Sequence, residues 1–205
     1  FARLAAFQGG RTVQAVEAVC RRGLTIDVID GLESLLNKSL LWQEEGLEGE
    51  LRFVFLETIH EYARERLEES GEAETVRRRH AHYFVTLAER AEPELRGARQ
   101  GYWFARLRAE HDNLRTALAW SLRSADAELA LRLVGALRDF WYYGGHIAEG
   151  VRWTERALDE RRYREDEDRQ REGQRESHIQ HPGGHGQDHH DDDRHKSDGE
   201  KHGRL

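Results

Sequence analysis

The chain has 205 residues, a formal net charge of −7 and a single cysteine, Cys20. This length allows one or two domains, and the weak acidic charge is spread along the chain, which argues against a strongly polyanionic partner. The lone cysteine excludes an intrachain disulfide, and no apolar run is long enough to span a bilayer. We therefore expect a cytoplasmic protein with no membrane partner.

The first 70 residues have the element order of a winged-helix domain. Residues 1–8 have the pattern of a short helix, and Thr12 and Asp27 are each placed to cap a further helix. Bulky and aromatic residues then flank the turn-like stretch GLEG, which is typical of a two-stranded hairpin. Three helices followed by a hairpin predict a winged-helix domain over residues 1–70.

The remainder of the ordered chain is expected to be helical. Thr58 and Glu61 stand in capping-box register at the start of the helix that leads out of the hairpin. From residue 71 onward, apolar residues recur at helical spacing, and the predicted helices are one that runs up to Pro93 and four more at 99–109, 112–123, 126–142 and 146–160.

The last two predicted helices form one helix-turn-helix unit, with the turn at Gly144 and Gly145. Its length, about 34 residues, is the period of tetratricopeptide repeats. We therefore predict a helical connector over 71–125 and a tetratricopeptide-like unit over 126–160. Because such units normally stack on one another, we expect part of the apolar face of 146–160 to be uncovered.

Residues 161–205 differ sharply from the rest of the chain. Their apolar side chains are Tyr163, Ile179 and Leu205, and they contain no alanine. So few apolar groups cannot offset the entropy of ordering the segment, which predicts disorder. We interpret the sharp change as an off-frame or truncated tail, with a genuine disordered tail as the alternative. The start at Phe1, in a chain without methionine, leads us to expect that the natural N-terminus is missing.

Taken together, these elements predict a mainly α fold class. It consists of a winged-helix domain with three helices and a β-hairpin, then α-helical tetratricopeptide-like hairpins, and finally a disordered tail.

Three long strings in this order match a known family. FLETIHEYARERLEESGEAETVRRRHAHYFVTLAERAEPELRG, LRAEHDNLRTALAWSL and GGHIAEGVRWTERAL resemble the segment that follows the nucleotide-binding module in bacterial STAND ATPases of the NB-ARC type. Members of this family include LuxR- and AfsR-type transcriptional regulators. The resemblance covers about residues 1–160.

The resemblance implies a non-catalytic segment that regulates and scaffolds a STAND ATPase-type signalling or transcriptional regulator. Its partners would be an upstream nucleotide-binding module and a protein or small-ligand effector on the tetratricopeptide-like helices. In this family ATP or ADP is bound by a phosphate loop. No G-x-x-x-x-G-K-[ST] motif occurs in this chain, so the nucleotide would be held by the upstream module. Leu56 stands where the family's Met-His-Asp motif places a phosphate-facing histidine. We therefore predict no enzymatic activity, no cofactor, and no catalytic, cofactor-binding or metal-binding residues here.

A free-standing DNA-binding winged-helix protein is the alternative function. The helix that would enter the major groove carries Asp27, Asp30 and Glu33 against Lys38. Since DNA affinity depends on Lys and Arg contacts to phosphates, these residues predict against direct nucleic-acid binding. We interpret the basic cluster RRRH at 77–80 as a solvated helix face.

Two other clusters suggest chemistry. His111 beside Asp112 has the composition of an acid–base pair, although helix capping by Asp112 or Asn113 is the simpler interpretation. The tail offers a second alternative function, metal binding, because imidazole and carboxylate bind Zn²⁺, Ni²⁺ and Cu²⁺. Without a scaffold its affinity would be adventitious. The tail residues concerned are His178, His181, His185, His189, His190, His195, Asp191, Asp192 and Asp193.

Overall fold

The computed structural model describes residues 1–124 and 126–180. One compact unit comprises Phe1–Glu165, and the second begins at Asp166. The helices are α1 (Val13–Cys20), α2 (Val28–Asn37), α3 (Glu57–Glu69), α4 (Ala73–Ala91), α5 (Gln100–Ala109), α6 (His111–Arg123), α7 (Ala127–Gly144) and α8 (Ile147–Gln180). The strands are β1 (Arg11–Thr12), β2 (Leu41–Glu45) and β3 (Leu51–Phe55), and 3₁₀ segments lie at Ala2–Ala6, Leu47–Gly49 and Glu92–Arg96.

The N-terminal region has a winged-helix-like arrangement, as predicted. A 3₁₀ segment replaces the expected first helix, and α1 and α2 precede the β2–β3 hairpin. The sheet is antiparallel in the order β1-β3-β2, with Arg11 opposite Phe53 and Leu41 opposite Phe55. Strand β1 was not predicted, because two residues carry no alternating pattern that periodicity could detect.

Two of the predicted helix caps are confirmed. The Thr12 hydroxyl accepts a hydrogen bond from the Ala15 amide at 3.2 Å, and the Asp27 carboxylate accepts one from the Ile29 amide at 2.8 Å. The prediction of a capping box formed by Thr58 and Glu61 is wrong. Helix α3 already begins at Glu57, with Leu56 as its N-cap residue, so Thr58 lies inside its first turn and cannot cap it.

Helix α4 is the centre of the core. Nine of its residues are buried, and it packs against α1, α6 and α7. Phe84 on this helix is fully buried, with its ring centroid 6.3 Å from that of Phe7 and 4.6 Å from that of His80. Because α4 contacts both the winged-helix-like region and the later helices, it joins the two predicted parts into one core.

A buried polar network lies at the same junction. Arg52 on β3 forms an ion pair with Glu110, and its guanidinium also donates to the Gly10 carbonyl at 2.8 Å. Asn113 donates to Glu110 at 2.8 Å and accepts from the Gln8 amide at 2.9 Å. A buried charge needs partners of this kind to offset its loss of hydration. The network therefore fixes the sheet against the start of α6.

Helices α7 and α8 form the hairpin predicted for 126–160. Gly145 ends α7 with a φ of 82°, in the left-handed region that glycine adopts without strain. Gly150 permits close packing of the two helices, because a Cβ there would lie 2.8 Å from the Trp141 ring. The assignment of this hairpin to the tetratricopeptide repeats stays a prediction.

Helix α8 continues beyond the predicted boundary at residue 160, to Gln180. The part of the predicted disordered tail from 181 to 205 lies outside the described residues. The expected uncovered face of α8 is confirmed, since Ile147 and Val151 are about half exposed. Within the described ranges, none of the helices combines the length and apolar character that crossing a membrane requires.

Candidate functional site

A basic groove lies between α4 and the turn that follows α1. It has a volume of about 500 Å³. Residues of α4 at intervals of three and four form one wall, because such residues share a helix face. The groove is lined by Ala18, Arg22, Thr75, Arg78, Arg79, His82, Tyr83 and Thr86. We call it the Arg22–Arg79 groove.

The arginines of this groove form no salt bridges with carboxylates in the part of the chain that the structure describes. Within residues 1–124 and 126–180, no salt bridge involves Arg22, Arg78 or Arg79. Nearby Glu72 is already paired with Arg3, whose guanidinium donates to it at 2.6 and 2.9 Å. The groove therefore presents cationic side chains that are available to an anion.

The basic cluster at 77–80 is divided among three surroundings. Arg77 pairs with Glu68 of α3, whereas Arg78 and Arg79 line the groove. His80 points into the core, and burial lowers its pKa to about 4. The interpretation of the cluster as one solvated face is therefore wrong for His80. His80 is buried because α4, on which it lies, is at the centre of the core.

Helix α2 is acidic on its exposed side, as the sequence indicated. Asp30 and Glu33 are exposed, and Asp27 caps the helix. Lys38 follows the last turn as the C-cap residue. Phosphate groups would be repelled along most of this helix. In a helix-turn-helix the second helix, here α2, usually enters the DNA major groove. In this chain that helix is acidic, and the basic residues lie on other elements.

The His111–Asp112 pair is not brought together as an acid–base pair. Asp112 accepts from Arg115 at 3.3 Å, whereas His111 faces Glu149 and His146. Neither Asp112 nor Asn113 caps α6, which has Glu110 at its N-cap without a side-chain cap. The capping interpretation is therefore wrong, because Asn113 is turned into the buried network at the junction.

Leu56, which occupies the predicted nucleotide-sensing position, is about half exposed at the N-cap of α3. Its aliphatic side chain has no group that could hydrogen-bond to a phosphate. The remaining conspicuous cluster is formed by His111, His146 and Glu149, whose ligand-type atoms lie within 4.8 Å of one another. The sequence interpretation missed this cluster. His146 and Glu149 are three residues apart at the start of α8, but His111 is brought to them only by packing.

The chain is similar to three curated bacterial proteins. It is 37% identical over 166 residues to "Putative HTH-type transcriptional regulator Rv0890c" of Mycobacterium tuberculosis (strain ATCC 25618 / H37Rv). The same identity is found with the regulator of the same description, Mb0914c, of Mycobacterium bovis (strain ATCC BAA-935 / AF2122/97). Each alignment covers 80% of this chain and 18% of the relative, so the chain spans about a fifth of the relatives' length. No family model and no solved structure matches.

These relatives correct two predictions. They are named as helix-turn-helix regulators, and a helix-turn-helix is a DNA-binding motif. The prediction of a non-catalytic STAND ATPase segment is therefore overturned, as is the prediction against direct nucleic-acid binding. The second error has a physical reason. The acidic charge of α2 argues against phosphate contacts by α2 only. Other surfaces of the fold can still bind DNA. The transcriptional-regulator part of the resemblance agrees with the relatives' names.

Proposed function

We propose that this chain is a DNA-binding region of a transcriptional regulator and is not an enzyme. The observation that carries the proposal is the similarity, over 80% of the chain, to proteins named as HTH-type transcriptional regulators. The winged-helix-like fold supports it, because folds of this type place helices against DNA.

The Arg22–Arg79 groove is the surface that we assign to DNA. Arg22, Arg78 and Arg79 would contact backbone phosphates, which supply most of the affinity in non-specific DNA binding. Thr75, at the groove wall, adds a hydroxyl of the kind that often contacts phosphate oxygens. These contacts position a protein on the duplex and do not read its sequence. The acidic helix α2 would face away from the DNA.

A binding titration with a fluorescently labelled DNA duplex at low salt tests this proposal. Wild type should bind, and the double variant Arg78→Glu/Arg79→Glu should bind at least about tenfold more weakly, because each lost phosphate contact is a charge-assisted hydrogen bond. The control is Arg108→Glu/Arg152→Glu. It has the same net charge and changes two exposed helical arginines for which the described structure contains no salt bridge.

The control variant should retain most of the wild-type affinity. Equal weakening of both variants would show a general effect of net charge and would reject the groove. Absence of binding by the wild type under these conditions would reject DNA binding by this chain.

A further inference from the structure

Three metal-ligating side chains converge where the α7–α8 turn meets α6. His111 is the first residue of α6, His146 immediately precedes α8, and Glu149 lies in the first turn of α8. The His111 and His146 ring centroids are 4.8 Å apart, and the His111 Nε2 lies 3.4 Å from a Glu149 carboxylate oxygen. Ligand atoms of a tetrahedral zinc ion, with bonds of about 2.0–2.1 Å, are about 3.3 Å apart, so small side-chain rotations suffice.

The His111 imidazole lacks a partner for one of its nitrogens. Its Nε2 is buried, and no described residue forms a hydrogen bond with it. The contact with Glu149 at 3.4 Å does not have hydrogen-bond geometry. A buried polar atom without a partner is rare and calls for an explanation such as a bound ion.

Glu149 supplies a fixed negative charge. Arg115 donates to its two carboxylate oxygens at 2.6 Å each, and Trp153 Nε1 donates to one of them at 3.3 Å. A carboxylate has about four lone-pair sites, so it can accept these three hydrogen bonds and still bind an ion through one oxygen. Arg115 would orient the carboxylate and, through its own charge, reduce the affinity for a cation. Hydrogen bonds from neighbouring groups commonly orient metal ligands in this way.

We propose that His111, His146 and Glu149 form a binding site for one divalent transition-metal ion of the Zn²⁺ type, with water as the fourth ligand. Two imidazoles and one carboxylate are a ligand set that Zn²⁺ accepts. Because His146 and Glu149 lie at the start of α8 and His111 at the start of α6, the bound ion would clamp these two helix ends together. The ion would therefore stabilise the fold. The site is separate from the Arg22–Arg79 groove and does not depend on the proposed DNA binding.

Thermal unfolding of the full chain with and without Zn²⁺ tests the site. At a zinc concentration of about a hundred times the Kd, the Tm of the wild type should rise by about 5–10 °C. His146→Gln should abolish this rise, since His146 is only partly buried and its replacement removes one ligand from a turn. His111→Asn should do the same, with circular dichroism used to verify that the variant is folded.

The control is His189→Gln/His190→Gln, which removes two histidines of the tail. It should bind less zinc in total by calorimetry and keep the rise in Tm. An equal rise in Tm for wild type and His146→Gln would place the effect outside this cluster. A wild type whose Tm does not respond to Zn²⁺ would leave the cluster as a salt bridge only. Either result would overturn the proposal.

Discussion

Helices α2 and α4 differ in charge and in burial. Helix α2 buries Val28 and Leu32 and exposes acidic residues. Helix α4 buries nine residues, exposes Arg78 and leaves Arg79 partly exposed. The helix at the usual reading position is therefore acidic and peripheral, and the basic residues lie on the most firmly packed helix. A polar site on a rigid element is held more accurately than one on a mobile element. The fold type alone therefore does not locate the proposed DNA-binding surface. The charge and the packing of each helix have to be considered together.

The largest expected effect tests the difference in packing. Phe84→Ala should lower the free energy of unfolding by about 3–5 kcal/mol, because it empties a fully enclosed site on α4. Leu32→Ala on α2 should cost about 2 kcal/mol, since Leu32, although buried, lines a surface groove whose walls can relax. Urea unfolding of both variants measures the two costs. A larger cost for Leu32→Ala would reverse the proposed ranking of the helices.

The pH dependence of stability tests the buried side of α4. The pKa of His80 falls from 6.5 to about 4 on folding, mainly because burial disfavours the charged ring. The neutral His80 ring therefore contributes fully to the free energy of unfolding above pH 6.5. This contribution is lost as the pH falls towards 4, where the loss reaches about 3 kcal/mol.

His80→Gln removes this titration and keeps a side chain that can hydrogen-bond to Asn113. The free energy of unfolding of this variant should fall less steeply than that of wild type between pH 6.5 and 4. Parallel curves for the two proteins would show that His80 titrates normally in the folded state.

Much of the fold could be predicted because its signals are local. Thr12 and Asp27 cap helices where their side chains suggested, and the hairpin follows from bulky residues around a turn. The failures involve contacts between distant residues. Asn113 was assigned to a cap, but it bonds to Gln8 and Gly10, more than a hundred positions away in sequence. No local pattern contains that information.

The candidate sites likewise combine local signals, which the sequence shows, with contacts between distant residues, which it does not. Thr75, Arg78, Arg79, His82 and Thr86 have helical spacing, so the sequence contained the signal for one wall of the groove. Arg22 is brought to that wall only by the packing of α1 on α4. In the cluster of His111, His146 and Glu149, the spacing of the last two is visible in the sequence, but His111 joins them only through tertiary packing.

A cap substitution separates the structural role of the α2 carboxylates from their electrostatic role. Asp27→Ala should cost about 1 kcal/mol, because the Ile29 amide loses its acceptor. Asp27→Asn removes the charge and keeps the cap, so its stability should stay close to that of wild type. The measurement is urea unfolding of both variants. A similar loss for both would show that the charge, and not the hydrogen bond, stabilises the helix.

The smallest expected effect concerns DNA affinity and α2. Asp30→Asn/Glu33→Gln should change the Kd for a DNA duplex by less than about twofold at 0.15 M salt, where charges beyond about 8 Å are screened. The reason is that this helix would face away from the duplex. The measurement is the same fluorescence titration. A gain of fivefold or more would place α2 at the DNA and contradict the contrast between the two helices.

The most direct test of the central claim is the salt dependence of DNA binding by wild type and by Arg22→Gln/Arg78→Gln/Arg79→Gln. Each phosphate contact contributes about 0.9 to the slope of log K against log salt concentration. If the Arg22–Arg79 groove binds the DNA backbone, the slope should become less steep by about 3 in the triple variant. An unchanged slope would show that these arginines do not contact phosphates and would contradict the assignment of the groove.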